Sequence, residues 1–300
     1  MADAHAKQHD YHIIDPSPWP FLGSVAAFVL AIGGIGWMQY LKGNLDFSLL
    51  GIPLAKTNDR AMPHTWDMVT RLFEPERGAG GRDLWRGMVA YGWNTFKLAL
   101  LGMVLGTVFG LGAAVVMARL RVLERGLLPW IIMSQTVPLI ALAPQLDGWS
   151  GRIDIGGWEW PRWLSVSVLA GFLAFFPIAV GTLRGLQSAP AASTELMHSY
   201  AASWWKTLVK LRFPSAIPSM VPAFKQAATL AVVGVIVSEI SIGVADGIGR
   251  AVISFSQAAT GDPAKPYAAV FGAAALGLLM YGLVVLLDLI LIRNRPQEAE

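Results

Sequence analysis

Residues 163–183 read Trp163-Leu164-Ser165-Val166-Ser167-Val168-Leu169-Ala170-Gly171-Phe172-Leu173-Ala174-Phe175-Phe176-Pro177-Ile178-Ala179-Val180-Gly181-Thr182-Leu183, without a single Asp, Glu, Lys or Arg. Arg162 and Arg184 stand at its two ends. About 20 residues of helix, rising about 1.5 Å each, cross a hydrocarbon core of about 30 Å. The stretch therefore predicts a membrane-spanning helix with a charge at each water boundary. Working outward, uncharged runs of the same kind occupy residues 16–41, 98–118, 126–146 and 266–287. A further apolar segment, 217–239, carries Lys225 and ends on Glu239. That makes six candidate spans.

Composition agrees with this reading. Of 300 residues, 54% are hydrophobic and 14% charged, and the mean hydropathy is +0.51; soluble domains carry roughly 25% charged residues. The expected fold is all-α, a polytopic helical bundle of about six transmembrane helices. A transmembrane β-barrel is excluded, since its strands alternate polar and apolar residues. So little charge lies outside the spans that no large soluble catalytic domain fits. No cysteine is present, which excludes disulfides, zinc-thiolate sites and iron–sulfur clusters. The net charge of +3 and pI near 9.2 arise from Lys and Arg beside spans, and imply lipid headgroups before nucleic acid. The first apolar run starts late and is too long for the core of a cleavable signal peptide, so it is expected to remain as a span.

Charge also orients the bundle. With a cytoplasmic N-terminus and six crossings, Arg119, Arg121, Arg125, Lys206, Lys210, Arg212, Arg293 and Arg295 all fall inside. The two short outer loops hold Arg152, Arg162, Arg250 and Lys265 beside offsetting acids. This is the positive-inside pattern, and it places both termini in the cytoplasm. The long outer segment is nearly neutral, and long segments translocate with less regard to charge.

The chain divides accordingly. Residues 1–15 form a polar cytoplasmic tail, 16–41 the first span, 42–93 a periplasmic segment, 94–295 a core of five spans with a cytoplasmic loop at 185–216, and 296–300 a C-terminal tail. The 42–93 segment is expected to be mostly loop, given Pro53, Pro63, Pro75 and the Gly78–Gly81 run. Within it Trp66, Val69, Leu72 and Phe73 recur at helical spacing, which suggests a short amphipathic helix on the membrane surface or packed on the bundle. In the 98–118 span Gly102, Gly106 and Gly110 lie one turn apart, a spacing that lets another helix approach closely. Trp149, Trp158, Trp160 and Trp163 read as an interfacial aromatic belt.

The loop from Arg184 to Pro218 is the most informative connection. A bundle joins neighbouring helices with a few residues, so ~30 residues rich in helix formers need a purpose. Glu195-Leu196-Met197-His198-Ser199-Tyr200-Ala201-Ala202-Ser203-Trp204-Trp205-Lys206 reads as one helix, with Pro190 and Ser193 as start signals and Glu195 in the first turn. Leu196, Met197, Tyr200, Trp204 and Leu208 are expected to share a face. Lys210-Leu211-Arg212-Phe213-Pro214 then turns the chain back toward the membrane.

These residues resemble the cytoplasmic signature of the inner-membrane permease subunits of ABC importers. That signature runs Glu-Ala-Ala, three residues, Gly, about nine residues, then an apolar residue, a residue and Leu-Pro. Here it stands as Glu195-Leu196-Met197, with Ala201 in the glycine position and Phe213-Pro214 at its end. Thr136-Val137-Pro138, Phe175-Phe176-Pro177 and Ala227-Ala228-Thr229 with the residues after them look like the branch importing nitrate, sulfonates, taurine and pyrimidine vitamin precursors. The resemblance covers about residues 55–295. It implies a transport subunit with no ATPase site of its own and no cofactor, in a bacterial inner membrane. It also implies a homodimer with two ABC ATPase subunits and a periplasmic substrate-binding protein. The helix at 195–206 would be the coupling helix, seated in a groove of the ATPase through Glu195, Leu196, Met197, Ser199, Tyr200, Ala201, Trp204, Trp205, Lys206, Arg212, Phe213 and Pro214. Residues 9–38, from His9-Asp10-Tyr11-His12 to Met38, resemble the start of cytochrome c oxidase subunit III. They read as an extra anchor, a local coincidence or a gene fusion. The alternative function is thus a structural membrane subunit of a respiratory complex. A membrane-embedded enzyme is disfavoured, because no His lies in any span and no cluster of carboxylate or nucleophile appears there.

Ionisable residues within spans mark function or pairing. Lys225 and Asp288 lie at similar depth near the cytoplasmic ends of their spans and are expected to form a structural ion pair rather than contact substrate. Ser134, Gln135 and Thr136, followed by Pro138 and Pro144, interrupt the 126–146 span, and irregular backbone at membrane depth lines a cavity or is buried in protein. They are candidates for the translocation pathway, with Ser238 and Glu239 at the outer end of the 217–239 span; Glu239 suits a gate or loop anchor better than a contact with an anion. His5, His9 and His12 lack the second shell a metal site depends on. No Gly-Lys-Ser/Thr follows Gly78–Gly81, so no phosphate loop exists there.

Overall fold

The computed structural model describes residues 30, 34, 48–49, 52–53, 63, 65–75, 83–244 and 246–292. The chain forms two compact units, Met1–Trp66 and Asp67–Glu300. In the first, β1 (Ser48–Leu49) pairs antiparallel with β2 (Ile52–Pro53), Ser48 opposite Pro53. The 1–15 tail, most of the 16–41 span, Gly78–Gly81 and the 296–300 tail lie outside the described residues.

The second unit is helical. It opens with the end of α1 (Thr65–Thr70) and a 3-10 turn, Arg71–Phe73. Val69 and Phe73 face outward while Met68 and Arg71 are buried and Leu72 packs on the core. The expected apolar residues thus divide, Leu72 toward the core and Val69 and Phe73 outward, and the charge of Arg71 goes inward because it finds Asp262 Oδ2 at 2.6 Å and the Glu74 carbonyl at 3.3 Å.

Next comes α2 (Leu84–Arg119), 36 residues long. It starts about ten residues before the expected span, so residues 84–93 are helix and not loop. At about 1.5 Å per residue α2 is longer than the hydrocarbon is thick, and its first three turns carry Trp85, Arg86 and Trp93, residue types suited to the headgroup layer. The 126–146 run is no single helix. α3 (Arg121–Ser134) and α4 (Leu139–Ser150) meet at a bend of 102°. Pro138 has no N–H to continue the ladder and pushes Val137 out of the helical region. Pro129 and Pro144 sit inside α3 and α4 without ending them. A hairpin follows, β3 (Asp154–Ile155) with β4 (Trp158–Glu159), closed by Gly156 and Gly157 at φ 63° and 87°. Positive φ at both central residues is what a type I′ turn requires.

α5 (Arg162–Gln187) is the helix around which the rest assembles. Gly102, Gly106 and Gly110 of α2 lie against Ala170, Ala174 and Ile178 in that order. Numbers rise together along the contact, so α2 and α5 run parallel, and α3 and α4 together must carry the chain back across. A methyl group on Gly106 would stand 2.8 Å from Ala174 Cβ and 2.9 Å from the Gly171 carbonyl oxygen. Backbones come this close only where side chains are absent. After α6 (Ala191–Ser199) comes α7 (Trp204–Ile242), continuous except for a π-helical turn at Leu208–Arg212. Gly185 of α5 meets Ala216 and Gly234 meets Ala170, so α7 is antiparallel to α5. α8 (Ile248–Gln257) folds back beside α7, and α9 (Lys265–Ile292) lies along α2 and α7. α9 buries only a stripe, Ala268, Ala269, Leu276 and Met280, while Leu278, Leu286, Leu289 and Ile290 face out, as lipid-facing residues do.

Among the described residues four helices, α2, α5, α7 and α9, are long and apolar enough to cross a membrane, and α3 and α4 pass the same test only together, as a bent pair. Among the described residues beyond the spans, one end of the bundle holds Arg119, Arg121, Arg125, Arg184, Lys206, Lys210 and Arg212 with Glu124 and Glu195 as acids, while the other mixes signs.

Candidate functional site

At the basic end, α6 starts at Ala191 behind Pro190, so Glu195 lies beyond the first turn. The helix expected through Lys206 stops at Ser199. The Ala202 N–H reaches back to the Met197 carbonyl at 3.0 Å and Ala201 sits at φ 50°. This is a left-handed helix terminus of the kind glycine adopts freely and alanine at a cost of about 1 kcal/mol. The position where the signature carries glycine is the one whose backbone asks for it. Ser203 then caps α7, its Oγ accepting the Lys206 N–H at 3.4 Å.

The break sorts the aromatic residues. Leu196, Tyr200 and Trp205 are 56%, 77% and 64% exposed. Trp204 turns inward instead, beside Leu186, Leu208, Ala216 and Phe213, with the Arg119 guanidinium 4.8 Å from its ring centroid. The single apolar face expected from spacing is therefore divided between an outer set and an inner set. Met197 is half-buried, and Ser199 donates to the Leu196 carbonyl at 2.8 Å. Glu195 and Lys206 are exposed and Arg212 half-buried. Pro214 follows the π-helical turn. A proline clashes with the carbonyl four residues earlier, and widening the preceding turn relieves that clash without ending the helix.

Within the membrane region the candidates separate. At the α3–α4 bend Gln135 and Thr136 are exposed and Ser134 half-buried, with Ser134 and Thr136 donating to the Ile131 and Met133 carbonyls at 2.7 and 2.8 Å. Ser238 and Glu239 do not join them as a wall, because both are buried inside the bundle. The Glu239 carboxylate accepts from Thr95 Oγ1 at 2.9 Å and from the Gly249 N–H at 2.8 Å. Lys225 Nζ lies 2.9 Å from Asp288 Oδ2, joining α7 to α9. Among the described residues no cluster of three or more His, Asp or Glu is arranged to hold a metal.

Thr95 and Asn94 are not singled out by the sequence, nor is the pairing of Arg119 with Trp204. Thr95 and Asn94 fell at the edge of the expected loop, where a hydroxyl and an amide look like solvent-facing groups. A signal lay further on: Gly243, Gly247 and Gly249 follow Glu239 at short intervals, the spacing of a chain that must pass close to something.

A bundle of long apolar helices with a basic end is that of a multi-pass membrane protein. The chain matches the family described as the binding-protein-dependent transport system inner membrane component over residues 106–293, and it belongs to that family. It is therefore an inner-membrane permease of the ABC importer type, a family that works with ATPase and substrate-binding partners. It is 30% identical over 204 residues to the formylaminopyrimidine transport permease protein ThiX of Halalkalibacterium halodurans, covering 68% of this chain and 77% of that one. It is 26% identical over 197 residues to the putative aliphatic sulfonates transport permease protein SsuC of Bacillus subtilis, covering 66% and 67%. The riboflavin transport system permease protein RibX of Chloroflexus aurantiacus is 28% identical over 176 residues, 59% of this chain and 61% of its own. A separate stretch of 44 residues is 46% identical to cytochrome c oxidase subunit 3 of Chondrus crispus, 14% of this chain and 16% of that one. Among solved structures, an amino acid ABC transporter with histidines shares the fold at a TM-score of 0.52 and 19% identity, over 68% of this chain and 94% of that one.

Proposed function

We propose that the chain forms, with a second copy of itself, the translocation path of an ATP-driven importer for a small anionic or pyrimidine-like solute. The relatives named for a formylaminopyrimidine and for aliphatic sulfonates support that range of cargo, while the one named for riboflavin lies outside it. Two ATPase subunits supply the energy, the chain having no ATPase site of its own, and a periplasmic binding protein delivers the solute. The basic end faces the cytoplasm, with both termini on that side.

The observation that carries this reading is the α6–α7 turn. Leu196, Tyr200 and Trp205 stand exposed beside Glu195 and Lys206 at the basic end of the bundle, and aromatic anchors within a polar rim are what interface hot spots are made of. Arg212, Phe213 and Pro214 join this turn to α7 and pass its displacement to the span. In the membrane, Gln135 and Thr136 at the bend line the path, with Ser134 behind them; Ser238 and Glu239 serve as gate rather than wall. Purification of the tagged chain from its native membrane tests the reading. Recovery of an ATPase, and its loss in Glu195→Arg, is the expected result. A second reading, a structural subunit of a respiratory oxidase, is favoured by the 44-residue match alone, and recovery of haem-bearing subunits in place of an ATPase would establish it.

A further inference from the structure

At the mixed-charge end α7 stops at Gly243, φ 74°, and the chain turns through Asp246, a non-glycine residue at φ 69°. It then enters α8 behind Gly247. A helix N-terminus exposes amides that a capping side chain normally satisfies. Gly247 has none to offer. The cap comes from two other helices. Thr95 Oγ1 on α2 accepts the Ile248 N–H at 2.9 Å and spends its own proton on Glu239 Oε1 at 2.9 Å. Glu239 Oε2 on α7 takes the Gly249 N–H at 2.8 Å. Beside them Asn94 Nδ2 donates to the Asp246 carbonyl at 3.0 Å.

The fit leaves no room for slack. A methyl group on Gly249 would stand 2.5 Å from the Ile236 carbonyl oxygen and 2.7 Å from Glu239 Cβ, and one on Gly247 would collide with the Glu239 carboxylate. Thr95 is 0% exposed and Glu239 1% exposed. No Lys or Arg faces the Glu239 side chain among the described contacts; its carboxyl oxygens meet the Thr95 hydroxyl, the Gly249 N–H and the positive end of α8. Ile248, Ala251 and Phe255 anchor one face of α8 in the core while Arg250, Ser254 and Gln257 on the other are exposed.

We propose that Thr95 and Glu239 are the positioning residues of a gate: together they hold the N-terminus of α8 in the cleft between α2 and α7, and α8 leaves that cleft as a unit when the two helices part. The proposal rests on the importer reading for its role in transport, and it deepens that reading by naming which bonds must break at the end remote from the ATPase. Neither helix satisfies α8 alone, because the Ile248 amide is answered from α2 and the Gly249 amide from α7. A relative shift of α2 and α7 therefore strips at least one bond from α8, whichever helix α8 follows.

Hydrogen–deuterium exchange of the full-length chain in lipid nanodiscs tests this. Thr95→Val keeps the shape and removes the hydroxyl; residues 247–257 are expected to exchange at least tenfold faster than in the wild type while 223–236, in the middle of α7, keep their rate. Thr95→Ser is expected to restore the wild-type rate, and Glu239→Gln to speed exchange in the same window. Unchanged exchange at 247–257, or a rise spread evenly through α2, α7 and α8, would overturn the gate and leave an ordinary structural bond. The ATPase co-purification above is independent of this measurement, so failure of the importer reading is told apart from failure of the gate.

Discussion

The two ends of the bundle treat their charges in opposite ways. At the mixed-charge end Arg71 reaches Asp262 at 2.6 Å, Arg162 lies 3.6 Å from Asp147, and Glu239 is enclosed by Thr95 and Gly249. At the basic end Arg121, Arg125, Arg184, Lys206, Lys210 and Arg212 form no ion pair among the described residues, and Tyr200 and Trp205 stand in the open. At the first end several charges meet partners within the chain, although Arg152 and Arg250 form no ion pair among the described residues there either. The other is left unsatisfied, which is how a surface looks when its partner is another molecule.

The comparison breaks most readily at the seam that joins the ends. Gly106→Leu drives a side chain into the α5 backbone, where no rotamer relieves the clash; a loss of at least about 3 kcal/mol is expected, read as failure to recover monodisperse protein. Near-normal yield would mean α2 and α5 do not depend on close approach. Next is the pair inside the membrane. Lys225→Met or Asp288→Leu alone leaves one part-buried charge unpaired and is expected to lower stability by about 3 kcal/mol, whereas the double variant returns to within about 1 kcal/mol of the wild type. A double variant no better folded than either single one, by thermal denaturation, would show that the 2.9 Å contact carries no pairing energy.

The adjacent tryptophans sharpen the contrast on a finer scale. Trp205→Ala is expected to weaken ATPase binding at least tenfold, about 1.4 kcal/mol, with the melting temperature unchanged. Trp204→Ala removes the partner of Arg119 and is expected to lower the melting temperature first. Equal effects of the two on both measurements would erase the division into outer and inner sets. The smallest effect is expected from Ala201→Gly. It relieves a left-handed alanine and should raise stability by about 0.5–1 kcal/mol; a decrease would mean that the backbone at position 201 does not require the left-handed region.

Much of this was legible in the residues. Uncharged runs locate spans because lipid offers nothing to hydrogen-bond a charge, and the runs at 98–118, 163–183, 217–239 and 266–287 coincide with α2, α5, α7 and α9. The signature at 195–214 pointed to the family although its alanines and glycine are replaced. Other features were not legible. Arg71 turns inward beside Leu72 because its partner lies 191 positions away, and no local period carries that information. The 195–206 helix was drawn too long because one φ angle, at Ala201, ends it. Ser134 and Glu239 were grouped as one wall on polarity, which says nothing of whether a side chain meets solvent or another helix.

The sequence by itself determined that the chain is a helical membrane bundle, where α2, α5, α7 and α9 lie and which end is basic, because these follow from the transfer of charge and apolar surface between water and lipid; the family came separately, from the resemblance of residues 195–214 to the permease signature. The tertiary structure alone decided that α2 and α5 run parallel on a glycine seam, that the 126–146 run is bent into two helices, that Trp204 belongs inside and Trp205 outside, and that Glu239 caps a helix it does not belong to. Those are outcomes of packing, in which a residue's role is set by the groups brought against it from distant parts of the chain.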